Sequence, residues 1–222
     1  MKKISIILSS MLLIVMLTTF NPNNFNIGFQ FFSIKTIEIT NLKNLNKKKI
    51  INSFYNELSE SNLFILDEKK IDKILKDNEL IDHIELKKVY PSKLQVIIHE
   101  KKIIAIINYE QKRYYLSKKG EEIKFFNNST LEGLPNIFGK QKNFLKIYSA
   151  LSQLNFPIAE IKSFYYFDIG RWDIILENYK VIKLPVKNFI SSLENYMKLR
   201  KKINFEKYSI FDYRIKDQLI LN

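Results

Sequence analysis

The stretch Val89–Ala105, VYPSKLQVIIHEKKIIA, leaves little choice of local structure. Pro91 pushes Tyr90 into an extended conformation and donates no ladder hydrogen bond, so the pair suits a turn or a strand start. Alternation follows. Leu94, Val96 and Ile98 point one way, and Lys93, Gln95, His99 and Lys101 the other. A period of two marks a strand with one buried face. Upstream, Ile84 and Leu86 alternate with His83, Glu85 and Lys87 in the same manner. Two such strands joined at Ser92 make a hairpin.

The residues before this hairpin read as one strand and two amphipathic helices. Ile34–Thr40 is a short strand. Asn46 is placed to cap a helix over Lys47–Leu58, whose Ile50, Ile51, Phe54, Tyr55 and Leu58 share a stripe. Asp67 is placed to cap a second helix over Glu68–Asn78, with Ile71, Ile74 and Leu75 inward. The order β-α-α-β-β over about 70 residues is enough for a small independent core. The second half is strand-rich. Strands are expected at Ile103–Asn108, Arg113–Ser117 and Glu121–Phe125, with a glycine turn at Gly120. Leu134-Pro135 to Gly139 reads as a loop, and Gln141–Leu154 as a helix. Ile161–Asp168, Trp172–Leu176 and Lys180–Leu184 form a meander. A helix over Lys187–Lys202 and closing strands at Tyr208–Arg214 and Gln218–Leu221 complete the chain.

At the N-terminus Lys2-Lys3 precede Ile4–Phe20, a charge-free apolar run. About 17 residues is the short limit for a membrane-spanning helix, and the lysines favour a cytoplasmic start. No small residues mark a cleavage site near Phe20, so a retained anchor is favoured over a removed signal peptide. The expected division is 1–20 cytoplasmic tip and anchor, 21–31 linker, 32–101 first domain, 102–222 second domain. The fold class is α+β: a transmembrane helix, a β-α-α-β-β domain, then a mixed β-sheet domain with two helices.

Chemistry is hard to find. The chain has no cysteine, which removes disulfides, thiolate nucleophiles and thiolate metal sites. His83 and His99 are the only histidines; both face outward, and the spacing supplies no third ligand, so no metal site is expected. The five glycines form no phosphate-cradling loop. Asp168 and Asp173 flank Gly170-Arg171 as a solvated turn. No catalytic residue and no cofactor are expected, and the chain does not read as an enzyme. The net charge of +13 comes from lysines spread throughout. Such a coat differs from the arginine forks that read bases, so no nucleic-acid partner is expected.

The layout resembles the FtsQ/DivIB family of bacterial cell-division proteins. Lys2–Phe20 stands where that family has its anchor, and Phe32–Lys101 resembles its POTRA domain. Val89-Tyr90-Pro91, Leu94, Val96 and Glu100-Lys101 fall on its second hairpin strand. Tyr115-Leu116 with Gly120, Leu134-Pro135 with Gly139, Arg171-Trp172, Ile174, Leu176, Val181–Leu184 and Phe211-Asp212-Tyr213-Arg214 resemble later landmarks. The family often has Pro where Ile103 stands, an acid near Lys118 and Gly where Tyr179 stands. The resemblance implies a non-enzymatic divisome scaffold in the cell inner membrane, crossing once through residues 4–20, with its bulk in the periplasm. It implies FtsB-type and FtsL-type partners, bound by strand addition at the C-terminal edge, and other divisome proteins met through the POTRA domain. The residues it points to are Arg171, Arg214, Tyr213 and Ile215, with the edge strand Gln218, Leu219, Ile220 and Leu221. For Arg214 an internal pair with Asp212 or Asp217 stays open, and for Tyr213 a place in the core. The alternative is a POTRA-type module that receives polypeptide in secretion or envelope assembly. No small-molecule substrate is implied.

Overall fold

The computed structural model describes residues 2–19, 32–59, 61–201 and 207–222. The expected linker over 21–31 and Phe20, the last residue of the expected anchor, lie outside the described residues. Lys2–Thr19 is a helix, α1. Its side chains from Leu8 to Val15 are exposed. Among the described residues, no helix is long and apolar enough to cross a membrane, so the structure does not show the expected transmembrane helix.

The chain divides into two compact units, residues 1–99 and 100–222. In the first, strand β1 (Thr36–Thr40) is followed by α2 (Lys47–Leu58), α3 (Glu68–Asp77), β2 (Ile81–Val89) and β3 (Lys93–Glu100). Both expected caps are present. Lys49 N donates to Asn46 Oδ1 at 3.1 Å, and Lys69 N to Asp67 Oδ1 at 3.0 Å. Each satisfies a backbone donor that the first helical turn leaves orphaned. The sheet runs β1-β3-β2, with β1 parallel to β3 and Ile37 opposite Leu94. The stripe Ile50, Phe54 and Leu58, with Ile74, packs on Ile37, Ile39, Leu94, Val96 and Ile98. The alternation of the hairpin therefore sends one set of side chains under the helices and leaves the other on an open face.

Among the described residues, the second unit carries one nine-stranded sheet. Its strands are β4 (Ile103–Tyr109), β5 (Lys112–Ser117), β6 (Glu122–Lys124), β7 (Asn136–Phe138), β8 (Ile161–Phe167), β9 (Arg171–Leu176), β10 (Val181–Lys183), β11 (Ile210–Asp212) and β12 (Ile220–Leu221). Their spatial order is β12-β11-β10-β9-β8-β7-β4-β5-β6. Two helices, α4 (Phe144–Gln153) and α5 (Phe189–Leu199), make crossovers. α4 joins β7 to the parallel β8, and α5 joins β10 to the parallel β11. Phe144, Ile147, Leu151, Leu193 and Tyr196 from these helices share a core with Phe164, Trp172, Ile174 and Phe211 of the sheet.

The sequence reading needs correction at several places. The supposed loop at 134–139 contains β7, which lies between β4 and β8. Pro135 sits just before it and still serves the ladder, since its carbonyl accepts from Ile106 N at 2.9 Å. Gly139 ends it at φ +88, where a Cβ would lie 2.9 Å from the Tyr166 carbonyl oxygen. The helices begin later than expected because Asn143 and Asn188 are left-handed, at φ 63 and 58. The closing strands are shorter than expected. Asp212 Oδ1 accepts from Arg214 N at 3.0 Å, which turns the chain out of β11, and Asp217 is left-handed at φ 58 just ahead of β12.

Gly139→Ala is expected to destabilise the protein by about 1–3 kcal/mol, since it adds a backbone clash to left-handed strain. Gly133→Ala, at φ +83 with nothing near its Cβ, carries the strain alone and should cost less. Denaturant unfolding of both variants measures the difference.

Candidate partner-binding rim

The C-terminal end of the chain forms one rim of the large sheet. β12 pairs antiparallel with β11, with Phe211 opposite Leu221 and Asp212 opposite Ile220. Asn222 N donates to Ile210 O at 3.2 Å, and Ile210 N donates to Asn222 O at 2.9 Å. Asn222 therefore turns its backbone groups inward. By the alternation of an antiparallel ladder, Leu221 turns its N–H and C=O outward. No strand pairs with that outer side among the described residues.

Behind the rim, a row of charges crosses the sheet. Asp173 on β9 lies opposite Lys183 on β10, which lies opposite Asp212 on β11. An arginine stands at each end. Arg214 Nε reaches Asp212 Oδ1 and Oδ2 at 2.8 and 2.9 Å, and Nη2 reaches Oδ2 at 2.5 Å. Arg171 Nε lies 3.2 Å from Asp173 Oδ1, with its guanidinium 4.1 Å over the Phe167 ring. Hydrogen bonds from Arg214 hold the Asp212 carboxyl below the usual carboxylate range. Burial pushes the Asp173 carboxyl up, against the pull of Arg171. The two acids are thus driven in opposite directions, one by its fork and one by its loss of water.

Of the two internal pairings open for Arg214, the structure shows Asp212; Asp217 lies 4.0 Å from Lys216 Nζ instead. The fork still leaves Arg214 partly exposed. Ile215 and Ile220 are 51% and 41% exposed, and Gln218 is exposed beside them. Leu219 and Leu221 are half-buried against the core. Tyr213 is buried, and its hydroxyl donates to Asn195 Oδ1 at 3.1 Å. Burial drives its ionisation far up, and pushes the neighbouring Tyr196 phenol up to about 12. Arg171 is largely buried and connects to the rim through the charge row. Asp168 is exposed, as a solvated turn requires, but Asp173 is buried at 7% exposure, so that reading of the pair fails for its second member. Lys183 was not singled out by sequence, and Asp173 was read only as a turn charge. The available signal was an acid inside the apolar strand RWDIIL.

The part of this half that matches a known domain reaches Arg214 and stops short of β12. Residues 105–214 match the C-terminal domain model of the cell-division proteins FtsQ/DivIB, and residues 32–101 match the FtsQ-type POTRA domain model. The chain belongs to the FtsQ/DivIB family. It is 23% identical over 190 residues to the cell-division protein DivIB of Bacillus subtilis strain 168, covering 82% of this chain and 72% of the relative. It is 26% identical over 191 residues to the cell-division protein FtsQ of Rickettsia bellii strain RML369-C, covering 84% and 71%. Against the major extracytoplasmic domain of DivIB from Geobacillus stearothermophilus, the TM-score is 0.31 at 12% identity, over 48% of this chain and 99% of that one. Membership gives an FtsQ/DivIB protein a role in cell division, within complexes of division proteins.

The Asp212–Arg214 fork should leave a mark on acid stability. A carboxyl depressed in the folded state contributes fully above its unfolded value, about 3.9, and loses that contribution as pH falls through the lower folded value. Asp212→Asn is expected to lower Tm at neutral pH, and the gap to the native chain should narrow below about pH 4. Thermal unfolding over a pH series checks this.

Proposed function

We propose that this FtsQ/DivIB protein is a non-enzymatic scaffold of the division machinery, held in the inner membrane by its N-terminal run. Its C-terminal rim receives a strand from an FtsB-type protein that is itself paired with an FtsL-type protein. The observation that carries the proposal is β12, a rim strand whose Leu221 backbone groups face outward beside exposed Ile220, Ile215 and Arg214. An unpaired edge templates an incoming strand, and flanking side chains supply selectivity. Asp212 engages only Nε and Nη2 of Arg214. A guanidinium has five N–H donors, so donors remain for an acidic group on the partner. Tyr213, Leu219 and Leu221 support the rim from the core side, and Arg171 steadies the charge row.

The anchor rests on sequence and exposure. The charge-free run continues through Phe20, and Leu8, Met11, Leu12 and Leu13 of α1 are exposed. A helix apolar on all sides belongs in a core or in lipid. With Lys2-Lys3 inside, the two folded units lie on the periplasmic side. The POTRA domain then meets other division proteins.

Deleting Gln218–Asn222 is expected to abolish binding of an FtsB-type segment. Because Asn222 also holds β11, Leu221→Pro is the sharper variant. It removes an outward donor while keeping the inward ladder, and should weaken binding about tenfold. Arg214→Glu should weaken it by a similar factor through charge reversal. Titration of the full chain in detergent with the segment measures all three. Unchanged affinity in the deletion and in Leu221→Pro would remove strand addition from the mechanism.

A further inference from the structure

The open face of the POTRA sheet carries a cluster that the rim does not use. His83 and Glu85, two residues apart on β2, project from one face, and His99 joins them from β3. The imidazoles are stacked, with centroids 4.2 Å apart and planes 6° from parallel. Glu85 Oε1 lies 2.7 Å from His99 Nε2 and 4.0 Å from His83 Nε2. One potential ligand atom from each residue falls within 4.8 Å of the other two.

Two further observations separate this cluster from an ordinary surface contact. His99 Nε2 is shielded from solvent and has no aligned hydrogen bond, despite the nearby carboxylate. His83 Nδ1 lies 3.1 Å from Asp82 Oδ2. A carboxylate on one ring nitrogen fixes the tautomer and turns the other nitrogen's lone pair outward, the arrangement found behind metal-ligating histidines. The expectation that no third ligand accompanies the histidines fails, because chain spacing does not show what the hairpin brings across from β2 to β3.

We propose that His83, Glu85 and His99 form a site for a divalent transition cation, and specifically Zn(II). Two imidazoles and one carboxylate suit Zn(II) rather than Mg(II) or Ca(II), which take oxygen ligands. Tetrahedral Zn(II) with bonds near 2.0–2.1 Å sets its ligand atoms roughly 3.3 Å apart. The 2.7 and 4.0 Å separations bracket that spacing. The rings are parallel, so an ion must turn one of them about its Cβ–Cγ bond; that torsion is soft, and the side chains stand on an open face. Three protein ligands leave one position for water. The bound ion ties β2 to β3 and stabilises the folded POTRA domain by mass action.

The test uses the tag-free full chain in detergent, with Zn(II) alone as the probe. Calorimetric titration is expected to show one Zn(II) per chain, and the visible spectrum of Co(II) in its place should report nitrogen ligation. His83→Gln and His99→Gln should each weaken binding about a hundredfold, and Asp82→Asn, which only positions His83, about tenfold. Circular dichroism confirms the fold of each variant, and Glu85→Gln serves if a histidine variant fails to fold. Absence of stoichiometric binding, or affinity unchanged in the chain carrying both histidine substitutions, would overturn the proposal.

Discussion

Three residues hold the large sheet together. β7, Asn136–Phe138, lies parallel to β4 on one side and β8 on the other. Without it the sheet would fall into β4-β5-β6 and β8 through β12. Ile137 is fully buried at the centre of this seam. Parallel neighbours cannot be joined by a tight turn, so the chain must leave and return through a crossover, which is the β5-β6 hairpin between β4 and β7 and a helix between β7 and β8. That requirement places α4 over the sheet, and α5 repeats the device between β10 and β11. The shared core of the two helices follows from these crossovers rather than from any helix preference of its own.

The rim is a product of the same arrangement. α5 carries the chain from β10 to the parallel β11, and the chain then turns back antiparallel as β12 at the edge. The charge row from Asp173 through Lys183 to Asp212 runs across the strands just behind it. Opposite charges directly across neighbouring strands attract, and they fix register as well as adding stability. Arg214 and Arg171 are therefore held in place by the protein itself. For a guanidinium offered to a partner, such positioning removes part of the ordering entropy of association.

Much of the fold could be read from patterns, and the failures have physical causes. Helices α2 and α3 were legible because stripe and cap agreed: Asn46 and Asp67 each accept the expected backbone N–H. The hairpin was legible from the alternation around Pro91. β7 was not, because three residues after a proline carry no periodicity; its strand character comes entirely from the neighbours that flank it. At the rim, Arg214 was visible as one of few arginines, but its pairing with Asp212 depends on where β11 bends. Asp173 reads as a turn residue until the sheet closes over it. The His83, Glu85 and His99 cluster depends on two strands lying side by side, a fact of pairing rather than of spacing. At Tyr179, where the family resemblance led to an expectation of glycine, the structure is left-handed at φ 63, a conformation that glycine adopts most readily.

β12 is only two residues long. Within β12, Leu221 presents one outward donor and one outward acceptor, a short backbone template. Long bare edges are an aggregation hazard, and shortness is one of the ways natural sheets avoid it. On so short an edge, a visitor is selected jointly by its backbone pairing and by the exposed side chains beside it, Ile215 and Ile220.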